Sequence, residues 1–444
     1  MDYALFLFNT AKFYLGSILY IIDEADFLRR IHEFYDDPVG KAVSSRSWYA
    51  QFLLILAFGK ASISNESSRD GPPGYQYAAQ AMSLMPDLAG LAPDPIQAVQ
   101  ALALGAVYLQ SVDMRVGACH HSKDGIATCQ RRWLDREFGP LMGCPCSICD
   151  GDITAKLPSE MDASLSALNM SLHVRLSRLM ARILTAIYGV GKQFDGSLVP
   201  NTQKVLRELA QLSKDINELL NTHFQGSISK ASRMALRLIL SYHHCVVLTT
   251  RPLVMCALQM HIRRAETLRC RPITLSAPVV SLLQSCVDSA MIILRTLRGM
   301  GDEDLLEAFL PFQLEDASSS AFILYLIRTI NPSLLTDERW SEDVKHVLDK
   351  MIAKGSVAAP LRKRELGQLE DALVAVSPVC NEPTTPSASH QEHQAAIAST
   401  VRPADSGWDL FLENGIVGIS PTEMLDLAAQ LEVDNDFGPQ VMDW

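Results

Sequence analysis

The chain carries no surplus of basic residues. Its 39 Lys and Arg stand against 50 Asp and Glu, a formal charge of −11 over 444 residues. That balance gives no general electrostatic reason to bind nucleic acid on its own. Cysteine is no more than ordinary for the length, ten in all, which does not read as a disulfide scaffold and favours a reducing compartment. No uninterrupted apolar run approaches the roughly 20 residues that span a bilayer, so no membrane is expected as a partner. The apolar N-terminus, Tyr3 to Phe8 and Phe13 to Ile22, is broken by Asn9 and Lys12. It lacks the basic start and the small-residue cleavage site of a secretory signal, and it is expected to be a core helix of an intracellular protein. Alternating apolar and polar runs are missing, as are hairpin turns between apolar segments, which excludes a β-rich fold. No fixed period recurs, which excludes a repeat array.

The signatures of catalysis are equally scarce. Asp23-Glu24-Ala25-Asp26 spells a helicase box, but an ATPase also needs a Gly-rich loop ending in Lys-Ser/Thr to cradle phosphate. The nearest string, Gly189-Val190-Gly191-Lys192-Gln193, lacks the hydroxyl and follows a helix, so surface acids are the better reading. Asp36-Asp37 hints at the aspartate-rich motif of all-α terpene cyclases, yet Pro38, Val39 and Gly40 follow where a third carboxylate would be needed to hold magnesium. There is no Gly-x-Ser-x-Gly elbow. His243-His244 has no nucleophile pattern beside it and reads as a core or boundary pair. An enzyme is not expected.

Zinc is the more tempting chemistry. Cys119-His120-His121, Cys129, and Cys144, Cys146 and Cys149 offer thiolates and imidazoles within a short span. Structural zinc sites favour two matched pairs separated by two to four residues. Only Cys146-x-x-Cys149 qualifies and no second pair answers it, so Cys144, Cys146 and Cys149 are weak candidates and loop cysteines the favoured reading. The six-cysteine binuclear pattern occurs nowhere in the sequence.

Helical periodicity is what the chain does have. Trp48 to Ala61 is apolar nearly all round and should be deeply buried. Pro95 suits the first position of a helix over Ile96 to Gln110. Further helices are predicted over Thr10–Ile22, Asp26–Tyr35, Tyr75–Leu84, Leu165–Tyr188, Val205–Leu220, Val279–Leu297, Ser318–Ile330 and Val344–Ile352, with Gly355 as the cap of the last. The fold class is therefore all-α, one large irregular helical domain over residues 1–376. Residues 377–400, rich in Pro, Ser, Thr, His and Gln, read as a disordered linker. Residues 401–444 form an acidic, hydrophobic tail with one base, Arg402, against nine acids. In it Trp408, Leu410 and Phe411 precede a short helix opened by the capping box Ser420-Pro421-Thr422-Glu423, whose stripe is Met424, Leu427, Ala428 and Leu431. That stripe can dock on its own domain or on a partner, since acidic-hydrophobic alternation is also the composition of activation segments.

The chain is organised around Ala231 to Leu253, ASRMALRLILSYHHCVVLTTRPL. Its apolar residues keep helical spacing over more than two heptads. The helix is expected to stop near Arg251, because Pro252 disfavours a helical conformation in the residue before it. The motif Tyr242-His243, then Arg251-Pro252-Leu253, resembles the middle homology region of fungal zinc-cluster transcription factors. Other segments resemble that region in the right order: Trp48 to Ala61, Tyr75 to Leu88, Ile96 to Ser111, Asp135-Arg136 with Gly143, Pro145, Ile148, Asp152-Ile153 and Leu157-Pro158, then Cys286 to Leu297, Pro311-Phe312 and the helix at Ala321. The likeness covers about Ala11 to Ile330.

Two departures shape what it implies. The family's N-terminal zinc cluster is missing. Met114 to Arg132 replaces several dozen residues of the family's pattern, leaving Arg131-Arg132-Trp133 as a remnant, which predicts a gap in the helical core and exposed apolar surface. The resemblance implies a nuclear transcription regulator whose helical domain controls an acidic activation tail. It implies no cofactor in this chain, zinc belonging to full-length members. Its partners would be the transcription machinery or a related transcription factor, with DNA reached indirectly or through an absent N-terminal domain. The alternative is a helical scaffold that does not bind DNA and pairs with a full-length relative.

Overall fold

Local signals set the helix starts. Asp23 accepts the amide of Asp26 at 3.1 Å, Asp94 that of Gln97 at 3.1 Å and Ser164 that of Ala167 at 3.3 Å, each satisfying an orphan donor of a first turn. The computed structural model describes residues 1–15, 23–63, 71–85, 94–126, 164–188, 198–224, 232–267, 275, 277–376 and 421–430. Among these every regular element is helical. The all-α class stands.

The N-terminal helices are α1 (Asp2–Leu15), α2 (Glu24–Asp36), α3 (Pro38–Ser44), α4 (Arg46–Ile63), α5 (Tyr75–Ser83), α6 (Pro95–Ser111) and α7 (Arg115–Ile126). The larger set is α8 (Leu165–Ala186), α9 (Leu198–Phe224), α10 (Arg233–Thr267), α11 (Ala277–Asp302), α12 (Pro311–Ile330), α13 (Trp340–Ala353), α14 (Ala359–Val376) and α15 (Pro421–Gln430), with a 3-10 turn at Pro332–Leu334.

Two apolar cores result. The first packs α1, α2, α4, α5 and α6 around Trp48, Phe52, Phe58 and Tyr108. As its all-round apolar sequence requires, α4 is buried from Ala50 through Gly59. There α1 crosses so closely that a Cβ on Gly59 would lie 2.3 Å from the Leu7 carbonyl oxygen. The second core joins α8 through α14 and includes Met424 and Ala428 of α15. The segment before α12 stitches the two together: Phe309 packs on Phe58 and Tyr108 of the first core, while Leu306 and Ala308 belong to the second.

Several expectations need correction. Helix α1 begins at Asp2 rather than Thr10; residues 16–22 lie outside the described residues. The additional helix α3 is capped by Asp37, whose carboxylate accepts the Gly40 amide at 3.0 Å. The carboxylates of the helicase-like string are structural: Asp23 caps α2, Glu24 meets Lys12 at 2.6 Å and Asp26 pairs with Arg29 and Arg30. The first part of the unmatched string, 115–126, is a helix packed on α6, with Met114 and Val116 exposed. Gly355 does end α13, with φ of 84° and a Schellman pair of hydrogen bonds, Ser356 N–H to Met351 O and Gly355 N–H to Ile352 O. The linker 377–400 lies outside the described residues.

The largest correction concerns α10. It does not stop near Arg251 but runs on to Thr267 with Pro252 inside it. A proline there removes the N–H that would bond the carbonyl four residues back, at Leu248. That oxygen is not left orphaned: the Tyr188 hydroxyl, arriving from the end of α8, donates to it at 2.8 Å. The Thr249 and Thr250 hydroxyls donate to the carbonyls of Cys245 and Val246, a back-bonding pattern that accommodates a bend. Two helices, α10 over Arg233–Arg263 and α11 over Val279–Asp302, are long and apolar enough to cross a membrane. Neither is an uninterrupted apolar run: Arg237 and His243-His244 interrupt α10, and Gln284 and Asp288 interrupt α11. In the bundle most of each apolar stretch is buried against neighbouring helices.

Candidate functional site

The motif residues of α10 separate into different roles. Tyr242 is fully enclosed, and burial pushes its phenol well above the ordinary tyrosine range, so the hydroxyl stays a donor. It points to the Met424 sulfur at 3.5 Å. His243 is buried edge-on to the Tyr242 ring, with Nδ1 3.2 Å from the Ser289 hydroxyl. This is the packed core histidine that its sequence context suggested. Leu253 is buried in the main core. Pro252 is half-buried, and the Arg251 guanidinium lies over the Phe322 ring, 5.2 Å from its centroid.

Met424 brings in the tail. Helix α15 begins at Pro421, where the capping-box reading placed the first helical residue. It lies along α9 and touches α11. Met424 and Ala428, one helical turn apart, are buried in the main core, while Leu425 and Asp426 face outward. The tail helix therefore docks on its own domain through half of the predicted stripe. The Leu427 side chain lies outside the described residues, as do Leu431, Trp408, Leu410, Phe411 and Ser420.

A band of charge follows the other side of α10. The Arg233 and Arg237 guanidinium groups reach Glu307 at 3.4 and 3.9 Å, and Arg233 also covers the Phe13 ring of α1, 4.4 Å from its centroid. His244 Nδ1 lies 2.9 Å from Asp316. Farther along, Arg362 of α14, with only 5% of its side chain exposed, pairs with Asp113 and Glu365 at 2.5 Å and lies 3.5 Å from Glu315. Arg115 pairs with the same Asp113 at 3.0 Å and with Glu315 at 3.5 Å. Burial raises the Glu315 carboxyl to about 7; Arg115 and His244 oppose the rise, and Asp113 and Asp316 add to it. This network pins the start of α7 to α12 and α14. Sequence reasoning did not find it, because its members lie up to 249 residues apart.

Nothing among the described residues gathers three or more metal-ligating side chains, and Cys144, Cys146 and Cys149 lie outside them. The described cysteines Cys245, Cys256 and Cys286 are buried free thiols, and burial pushes the Cys286 thiol up to about 12. A thiol held protonated is a poor nucleophile and a poor ligand. No family model, no curated protein and no solved structure matches the chain.

Proposed function

We propose that this chain is a transcription regulator of the fungal zinc-cluster type, acting through its helical regulatory domain and acidic tail in the nucleus. Two things support the reading: the ordered series of segments resembling the family's middle homology region, and the docking of Met424 and Ala428 beneath the motif residue Tyr242. The docking carries the mechanism. A tail of activation-segment composition is held against the domain by its apolar stripe, so its activity depends on whether the helix stays seated. The transcription machinery would be the partner of the released tail, and no cofactor is invoked in this chain.

The test is a reporter assay with residues 401–444, and separately the full chain, fused to an unrelated DNA-binding domain. The tail alone should activate strongly, the full chain weakly, and the full chain carrying Met424→Asp at a level nearer the tail. An inert tail, or a Met424→Asp chain no more active than its parent, refutes the reading. A second reading is a scaffold that pairs with a full-length relative, and what favours it is the net charge of −11, which gives no electrostatic reason for these residues to bind DNA on their own. Under it the purified chain shows no DNA binding alone and is recruited to promoters only with its relative.

A further inference from the structure

Between α10, α12 and α14 the fold leaves a cavity of about 380 Å³, inside the range of about 300–1,000 Å³ typical of small-molecule sites. It sits on the face of α10 carrying His244, Leu248 and Arg251, and Tyr242 with the docked tail helix lies on the opposite face. Its occupancy is therefore a question separate from the regulatory reading.

Most charges around it already have partners. Arg362 and Arg115 are held by Asp113, Glu315 and Glu365, and His244 is held by Asp316. Arg251 differs. Its guanidinium lies over Phe322, and among the described residues no carboxylate pairs with it. A planar guanidinium backed by an aromatic face is well suited to grip a carboxylate with two parallel hydrogen bonds. Ser319 also lines the cavity and offers a hydroxyl, whereas the Ser318 hydroxyl is spent on the Leu314 carbonyl at 2.8 Å. The remaining wall is apolar, formed by Leu248, Phe322, Leu366 and Leu369. Glu315 and Glu365 also face the cavity, so a second negative charge on a ligand would meet carboxylates.

We infer that this cavity binds a monoanionic carboxylic acid with an aromatic or branched apolar body, its carboxylate on Arg251 and its body against Leu248, Phe322 and Leu366. The closing experiment is calorimetric titration of the full chain with phenylacetate, with the neutral isostere phenylacetamide and the dianion phenylmalonate as comparisons. Phenylacetate should bind with Kd below about 1 mM; phenylacetamide should bind at least about tenfold more weakly, the usual loss when a charge-assisted hydrogen bond is forfeited, and phenylmalonate likewise, because its second carboxylate meets Glu315 and Glu365. Arg251→Gln should weaken phenylacetate by about tenfold or more. Ser319→Phe, which fills the cavity from its half-buried rim, should also abolish binding, and circular dichroism checks that each variant folds. Equal binding of phenylacetate and phenylacetamide, unchanged affinity in the folded variants, or no phenylacetate binding to the folded parent each overturns the inference.

Discussion

Replacing Tyr188 by Phe tests why the longest helix survives an internal proline. The substitution keeps the ring and removes the hydroxyl that donates to the Leu248 carbonyl at 2.8 Å. That carbonyl has lost its usual helical donor to Pro252, and Leu248 is buried, so water is a poor substitute. An unsatisfied buried acceptor costs about 1–3 kcal/mol, and Tyr188→Phe should lower the unfolding free energy by that amount in urea titrations, with an unchanged m-value. The decisive comparison is the same substitution in a Pro252→Ala background. There the alanine N–H can bond Leu248, the tyrosine becomes redundant and its loss should cost under about 1 kcal/mol. The difference is a coupling energy that a merely local packing defect would not generate. Equal costs in the two backgrounds would refute the idea that the Tyr188 hydroxyl stands in for the donor that Pro252 removes.

Two buried titrating groups should tilt stability against pH in opposite directions. Glu315 is raised from 4.5 to about 7 in the folded chain, so its contribution is complete below 4.5 and is lost as pH climbs through about 7. The whole shift is worth roughly 3 kcal/mol, and Glu315→Gln should flatten the decline in thermal midpoint over that window. His173 is lowered from 6.5 to about 4 by burial and by Arg237. Its contribution is therefore complete above 6.5 and lost as pH falls through about 4, and His173→Asn should flatten the acid limb instead. Gly59→Ala should destabilise the first core despite alanine's helix advantage of about 1 kcal/mol. The new methyl meets the Leu7 backbone at 2.3 Å, and overpacking of that kind costs about 1–3 kcal/mol. A urea midpoint at or above that of the parent would contradict the close crossing of α1 and α4.

The charged band between the cores has a physical reason to lie where it does. The cores meet along the segment before α12, where Leu306 and Ala308 face one and Phe309 and Leu310 the other. A seam between two independently apolar bodies leaves helix edges whose outward-facing side chains are polar. When the bodies close, those side chains lose water and must find partners, because a buried charge left alone costs far more than one that is paired. Arg233, Glu307, Glu315 and Arg362 do this at successive points along the join. Breaking such a pair by removing one partner is costlier than its net worth suggests, because the surviving charge is left without a partner away from water.

What was legible in the sequence was what periodicity and caps encode locally. The all-round apolar run of α4, the proline that opens α6, the glycine that ends α13 and the proline that opens α15 all appear where their chemistry placed them. The half of the tail stripe that the structure describes, Met424 and Ala428, is buried as a helical stripe must be. The errors have a common cause. The expected stop at Arg251 weighed the local penalty of Pro252 correctly, but the group that relieves it sits 60 residues away in sequence, on another helix. Nothing in the sequence around Arg362 marks it as buried, and only the fold supplies the carboxylate of Asp113 that lets it be so. Asp113 itself sits at φ of 61° just past the end of α6, a left-handed position that aspartate tolerates better than most residues. There its carboxylate turns back toward α14. A helix's own residues announce that it has an apolar face; which polar groups go under with that face is decided by distant segments, and that is where the charged network and the cavity lie.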